Sequence, residues 1–163
     1  PLVVDVDPEL VEELLAEERG LEGGKHSGLV PDTSVLVEYI VSRSPYRRKV
    51  AELLSRASSG EVELFVSAVT LSELLYVASR IYRAAGVADP NGEALDFVEW
   101  VKARAHVVGV DEAVALRAGE LKKTLLTALP DCYVIATAER VGAAPLFKRL
   151  EEEMKPAPSG SSA

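Results

Sequence analysis

Cysteine, histidine and methionine are nearly missing from these 163 residues, which hold one Cys, two His and one Met. A single thiol, Cys132, excludes an internal disulfide framework and a thiolate zinc cluster. His26 and His106 are too few for a histidine-rich site, so any metal this chain holds must be held by oxygen. No stretch approaches the ~18 consecutive apolar residues of a membrane span, and the first residues lack the basic-then-apolar plan of a secretion signal. Those absences set the expectation of a soluble, cytoplasmic protein without a membrane partner. A basic surplus is also missing: the net charge is −8, whereas a nucleic-acid binder needs a basic face to meet phosphates. The deficit is local, however. Residues 1–28 hold eight acids and two bases, leaving 18 acids and 16 bases in the rest, some of which bound cations would neutralise.

What is present is a hydrophobic content of 48%, ample for the core of one domain. Residues 2–6 alternate like a short strand, and Asp7-Pro8 opens a helix whose Leu10, Val11, Leu14 and Leu15 form one apolar stripe. Gly20, Gly23, Gly24 and Gly28 then make a joint, so residues 1–28 read as an appendage. Across residues 29–155 strands alternate with helices. Strands are expected at residues 29–31, 62–67, 106–110 and 145–147, and helices at 33–42, 46–58, 70–85, 94–104, 111–127, 132–141 and 148–155. Alternation of this kind predicts an α/β fold, a parallel sheet of four or five short strands with helices on both faces. Residues 156–163, rich in Pro, Ser, Gly and Ala, are expected to form a disordered tail.

Asp32 stands where the first strand gives way to a helix, followed by Thr33 and Ser34. Read locally, it caps that helix by accepting amide N–H groups of the first turn. Read across the sheet, it lies at a strand's carboxyl end, where the crevice of an open α/β sheet forms. Glu73 is expected in the first turn of the helix that follows the second strand, and Asp131 opens a later helix behind Pro130. Each alone is a favourable charge at a helix amino terminus. Right-handed crossovers would nevertheless bring all three to one sheet edge. Carboxylates clustered there stay ionised together only by sharing a cation, and oxygen-only ligation suits Mg²⁺ or Mn²⁺. Such an ion can activate water against a phosphodiester.

Three blocks then carry a resemblance: Val30-Pro31-Asp32-Thr33-Ser34-Val35-Leu36, Ser67-Ala68-Val69-Thr70-Leu71-Ser72-Glu73-Leu74, and Leu129-Pro130-Asp131-Cys132-Tyr133-Val134-Ile135-Ala136-Thr137-Ala138. In order and spacing they resemble the signature blocks of PIN-domain ribonucleases, over residues 29–155. The likeness is nearest to the toxins of VapBC-type toxin–antitoxin pairs. The resemblance implies a metal-dependent endoribonuclease, often dimeric, with an antitoxin partner. It implies that Asp32, Glu73 and Asp131 ligate Mg²⁺ or Mn²⁺ and that Ser34 supports Asp32 or the bound water. The family's fourth acid sits in a Thr-x-Asp pattern; here Lys148 holds the Thr position and Leu150 the Asp position, and Glu151 is the nearest substitute.

RNA would be gripped by Arg47, Arg48, Lys49, Arg80, Arg83, Lys148 and Arg149, although solvated helix faces account for part of that set. Residues 70–85 are apolar nearly all round, with Tyr76 and Tyr82 outward, and form the expected homodimer surface. The appendage has the strand-then-helix form of small antitoxin-like proteins, or simply packs on the domain. Two other functions fit the same residues: a PIN scaffold with weakened catalysis that binds RNA or protein, and a phosphatase-like hydrolase of small phosphate esters.

Overall fold

Side-chain alternation decides the centre of the molecule, for which a computed structural model describes residues 28–148. In β1 (Gly28–Pro31) the fully buried Leu29 and Val30 join different apolar clusters, because successive side chains in a strand point to opposite faces. β2 (Glu63–Ser67) repeats the pattern, with Leu64 and Val66 to one side and Phe65 to the other. A sheet buried on both faces needs two helical layers, and the chain supplies them. α2 (Arg47–Ser59), α3 (Ala68–Ala84) and α4 (Pro90–Lys102) bury Leu53, Leu54, Leu74, Phe97 and Val101 on the first face. α6 (Leu129–Val141) brings Val134 and Ala138 to the second, where Val30 and Phe147 lie. α5 (Glu112–Thr124) packs outside α6 through Val114, Ala118, Cys132 and Ala136. Each aliphatic side chain so buried contributes about 1.5–3 kcal/mol.

All strand pairs are parallel, in the order β3-β2-β1-β4, with β3 at His106–Val108 and β4 at Ala144–Leu146. The chain therefore winds outward from β1 to β3 and returns to the far side of β1. That reversal puts a topological switch point beside the carboxyl end of β1. The α/β class, the parallel sheet and the four strands agree with the sequence reading.

Several boundaries differ for identifiable reasons. β1 takes in Gly28, which the sequence assigned to the joint; a Cβ there would fall 2.6 Å from the Glu63 carbonyl oxygen, so only glycine lets β1 and β2 pair that closely. α1 is one turn, Thr33–Leu36, and the chain leaves it through 3₁₀-type bonds from the amides of Glu38, Tyr39 and Ile40. α4 begins at Pro90 because Asp89 caps it, accepting the Gly92 N–H at 3.0 Å. α6 begins at Leu129, before Asp131. The apolar girth of α3 is largely used inside the chain, since α4 packs along it and Leu71, Leu75, Val77, Ile81 and Tyr82 are partly buried against the core. Tyr82 thus turns inward, where burial and then the charges of Glu93 and Asp96 raise its phenol pKa; Tyr76 alone of the two faces out. Among the described residues no helix is long and apolar enough to cross a membrane. The amino-terminal appendage, the helix expected at 148–155 beyond its first residue, and the tail lie outside the described residues.

Candidate metal centre

Asp32 performs the structural job its position allows. As N-cap of α1 it accepts the Val35 N–H at 3.2 Å, and its own N–H donates to the Leu146 carbonyl at 3.0 Å, tying the carboxyl ends of β1 and β4 together. The Ser34 hydroxyl donates to both of its oxygens, at 2.8 and 3.0 Å. The side chain is buried among these donors beside the switch point, 5% exposed.

Glu73 arrives from the neighbouring strand. Ser67 ends β2 and caps α3, accepting the Val69 N–H at 3.2 Å, which starts the helix at Ala68 and puts Glu73 in its second turn. It lies beyond the first-turn position at which a helix dipole would account for its charge. Its Oε1 instead accepts a 3.1 Å hydrogen bond from Thr33, the residue after Asp32. Burial holds the Glu73 carboxyl above its ordinary pKa; the Thr33 hydrogen bond opposes this, and the charge of Asp131 adds to it. Asp131 comes to the same edge because α6 must run back across the sheet to feed the parallel strand β4, so its first turn lies at the carboxyl end. Thr127, buried in the preceding loop, donates to Asp131 Oδ2, and the Lys122 ammonium holds the Thr127 carbonyl at 2.8 Å.

The donor set fits a hard divalent cation: three carboxylates, no sulfur and no imidazole, with one acid under like-charge repulsion that a cation would relieve. Among the described residues no group of three or more Asp, Glu, His or Cys side chains is close enough to enclose an ion unaided.

Other acids and the thiol near this edge are accounted for otherwise. Asp111 caps α5 through the Val114 N–H at 2.9 Å and pairs with Arg140, and both contacts lower its pKa. Cys132 is buried between α5 and α6, and burial raises its thiol pKa, the reverse of what a nucleophile needs. A cleft of about 360 Å³ at the end of β3 is lined by Val108, Gly109, Val110, Asp111, Val114 and Arg140, and none of the three acids contributes to it.

The basic residues divide. Arg47, Arg48 and Lys49 form the first turn of α2, where no acid balances them and the N-cap, Tyr46, makes no side-chain cap. Arg47 also stacks 5.0 Å from the Tyr39 ring centroid and donates to the Tyr39 carbonyl. Arg80 and Arg83 are not brought to the acids: they follow Glu73 by seven and ten residues on a straight helix, about 10 and 15 Å along its axis. Arg80 lies over Tyr76 instead. Lys148, just beyond β4, is paired with Glu38. Arg149 and Glu151 lie outside the described residues.

A family model for the PIN domain matches residues 29–149. Solved structures share the fold. The DNA-bound VapBC of Salmonella typhimurium is 21% identical, with a TM-score of 0.56, covering 77% of this chain and 89% of that one. A toxin–antitoxin complex from Klebsiella pneumoniae is 16% identical, with a TM-score of 0.55 and coverages of 81% and 93%. VapBC-1 from nontypeable Haemophilus influenzae is 17% identical, with a TM-score of 0.53 and coverages of 76% and 88%. No curated protein sequence matches the chain.

Proposed function

The chain belongs to the PIN domain family, and from that premise we propose that it is a divalent-metal-dependent endoribonuclease, the toxin of a toxin–antitoxin pair. The observation that supports the proposal is the link between the acids' neighbourhoods: the Asp131 charge is felt at Glu73, and Thr33, the residue after Asp32, donates to Glu73. In this reading the three acids hold Mg²⁺ or Mn²⁺, and Ser34 keeps the Asp32 carboxylate oriented. A bound divalent ion supplies an activated water and neutralises charge on the phosphoryl group. RNA cleavage assayed with Mg²⁺, with Mn²⁺ and with chelator tests the reading directly: turnover that persists in chelator rejects it.

The RNA path runs over the first turn of α2 in this proposal. Three cations at a helix amino terminus are placed against the helix dipole, a cost in the free protein that phosphate binding would offset. Neutralising Arg47, Arg48 and Lys49 together should weaken RNA binding and flatten the slope of log affinity against log salt by up to about 2, at ~0.7 per single-strand phosphate contact. An unchanged slope removes this patch from the path.

The partner in this proposal is a protein antitoxin, as in the VapBC complexes that share the fold. Growth arrest by the intact chain expressed alone, relieved by Asp32→Asn, is the expected sign. A homodimer is proposed through the outer side of α3 at Tyr76, 57% exposed. Sedimentation that finds only monomer at micromolar concentration counts against it.

A further inference from the structure

Each acid of the metal centre has its own hydroxyl. Ser34 donates to Asp32, Thr33 to Glu73 Oε1 and Thr127 to Asp131 Oδ2. The first pairing belongs to the family pattern; the other two join residues that no motif links. We infer that Thr33 and Thr127 are positioning residues for the metal centre, each binding one oxygen of its carboxylate and thereby presenting the other oxygen to the ion. This rests on the reading that Glu73 and Asp131 are metal ligands.

The chemistry favours a hydroxyl in these places. A carboxylate ligand swings about its last bonds unless a donor fixes one oxygen, and such outer partners orient the ligand and add to metal affinity. A hydroxyl donor fixes the rotamer without adding a positive charge that would compete with the cation. Both threonines are built for one orientation. Thr33 is 6% exposed, on a one-turn helix whose cap is Asp32, so the hydrogen bond to Glu73 ties the β1 turn to α3 across two neighbouring strands. Thr127 is 5% exposed, and Lys122 clamps its carbonyl from the end of α5, which holds the loop in place as Asp131 enters α6. The β-branched side chain restricts χ1, so the hydroxyl that meets the acid is held in few orientations.

Lys122 is then the outer member of a relay that runs from its ammonium through the Thr127 carbonyl and hydroxyl to Asp131. Among the described residues no ion pair joins its side chain to an acid of the centre, and it acts on the loop through the Thr127 carbonyl.

The experiment is Mn²⁺ binding by calorimetry on the full chain, with melting in chelator measured in parallel. Variants are Thr33→Val, Thr127→Val, Thr33→Ser, Thr127→Ser and, as the ligand control, Asp131→Asn. Valine keeps the shape and loses the donor; serine keeps the donor. Expected is about a ten-fold loss of Mn²⁺ affinity for each valine variant and less than about two-fold for each serine variant. If a valine variant does not fold, the alanine variant of the same threonine is read in its place, with the same loss expected. Valine variants that bind Mn²⁺ as the parent does, while Asp131→Asn does not, overturn the positioning role and leave the metal centre standing. Undiminished binding in Asp131→Asn overturns the metal centre itself. Equal losses in valine and serine variants also overturn the inference, because they would reflect packing rather than the hydroxyl.

Discussion

Asp32→Asn should lower metal-dependent RNA cleavage by at least about a hundred-fold while leaving the melting temperature in chelator nearly unchanged. The two effects separate because the side chain's structural and chemical tasks use different properties. Its structural tasks are those of a hydrogen-bond acceptor: the Val35 N–H at 3.2 Å and the Ser34 hydroxyl at 2.8 and 3.0 Å. The amide oxygen of Asn can accept both, and Asn caps helices as well as Asp does. The bond that ties β1 to β4 comes from the backbone of residue 32 and is indifferent to the change. What Asn lacks is the negative charge, and charge is what a divalent ion requires of its ligands. Cleavage by the variant at the parental rate, still abolished by chelator, would mean that the ion is held without Asp32.

The order of elements was legible because strands here are short apolar runs punctuated by Gly, Pro and Asp, and the helices between them carry apolar stripes. That Asp32, Glu73 and Asp131 each stand near the start of a helix on the carboxyl side of the sheet was legible for the same reason, since each follows from a strand end and a crossover of known hand. Misread ends have particular causes. Val35, Leu36, Tyr39 and Ile40 keep helical spacing, yet α1 stops after Leu36, and Tyr39 stacks on Trp100 at a centroid distance of 4.5 Å with the Arg47 guanidinium above it. Tertiary stacking overrides a local periodicity that nothing nearby in sequence contradicts. The helix expected from residue 94 starts earlier, at Pro90, because the Gly92 N–H is the one that the Asp89 cap needs.

Side-chain partnerships across the sheet were not legible at all. Lys148 and Glu38 are 110 residues apart, and a lysine within an expected RNA-binding set carries no mark of being paired. Thr33 and Thr127 sit in turns, where hydroxyls are common for local reasons, so their partners emerge only from coordinates.

Glu73→Gln should move stability and function in opposite directions. In the metal-free parent, burial and the Asp131 charge both penalise the ionised Glu73 carboxyl, and the Thr33 hydrogen bond offsets only part of this. A carboxyl whose folded pKa is raised above its unfolded value of 4.5 favours the fold below that value, and the contribution is lost as pH rises through the folded pKa. Neutral pH without metal is therefore where the charge costs most. Gln removes the charge, keeps an oxygen for Thr33, and should melt in chelator at or above the parent at neutral pH, with the difference shrinking toward pH 4.5. With Mn²⁺ the ranking reverses. At a free ion concentration a hundred times its dissociation constant the parent gains about 2.7 kcal/mol, whereas a variant binding ten-fold more weakly gains only about 1.4 kcal/mol. Cleavage should fall by about a hundred-fold or more, as for Asp32→Asn. Melting curves at neutral pH and near pH 4.5, each with chelator and with Mn²⁺, read all of this. A Gln variant that melts well below the parent in chelator would show that the Glu73 charge supports the fold, and an Mn²⁺ shift equal to the parent's would remove Glu73 from the metal centre.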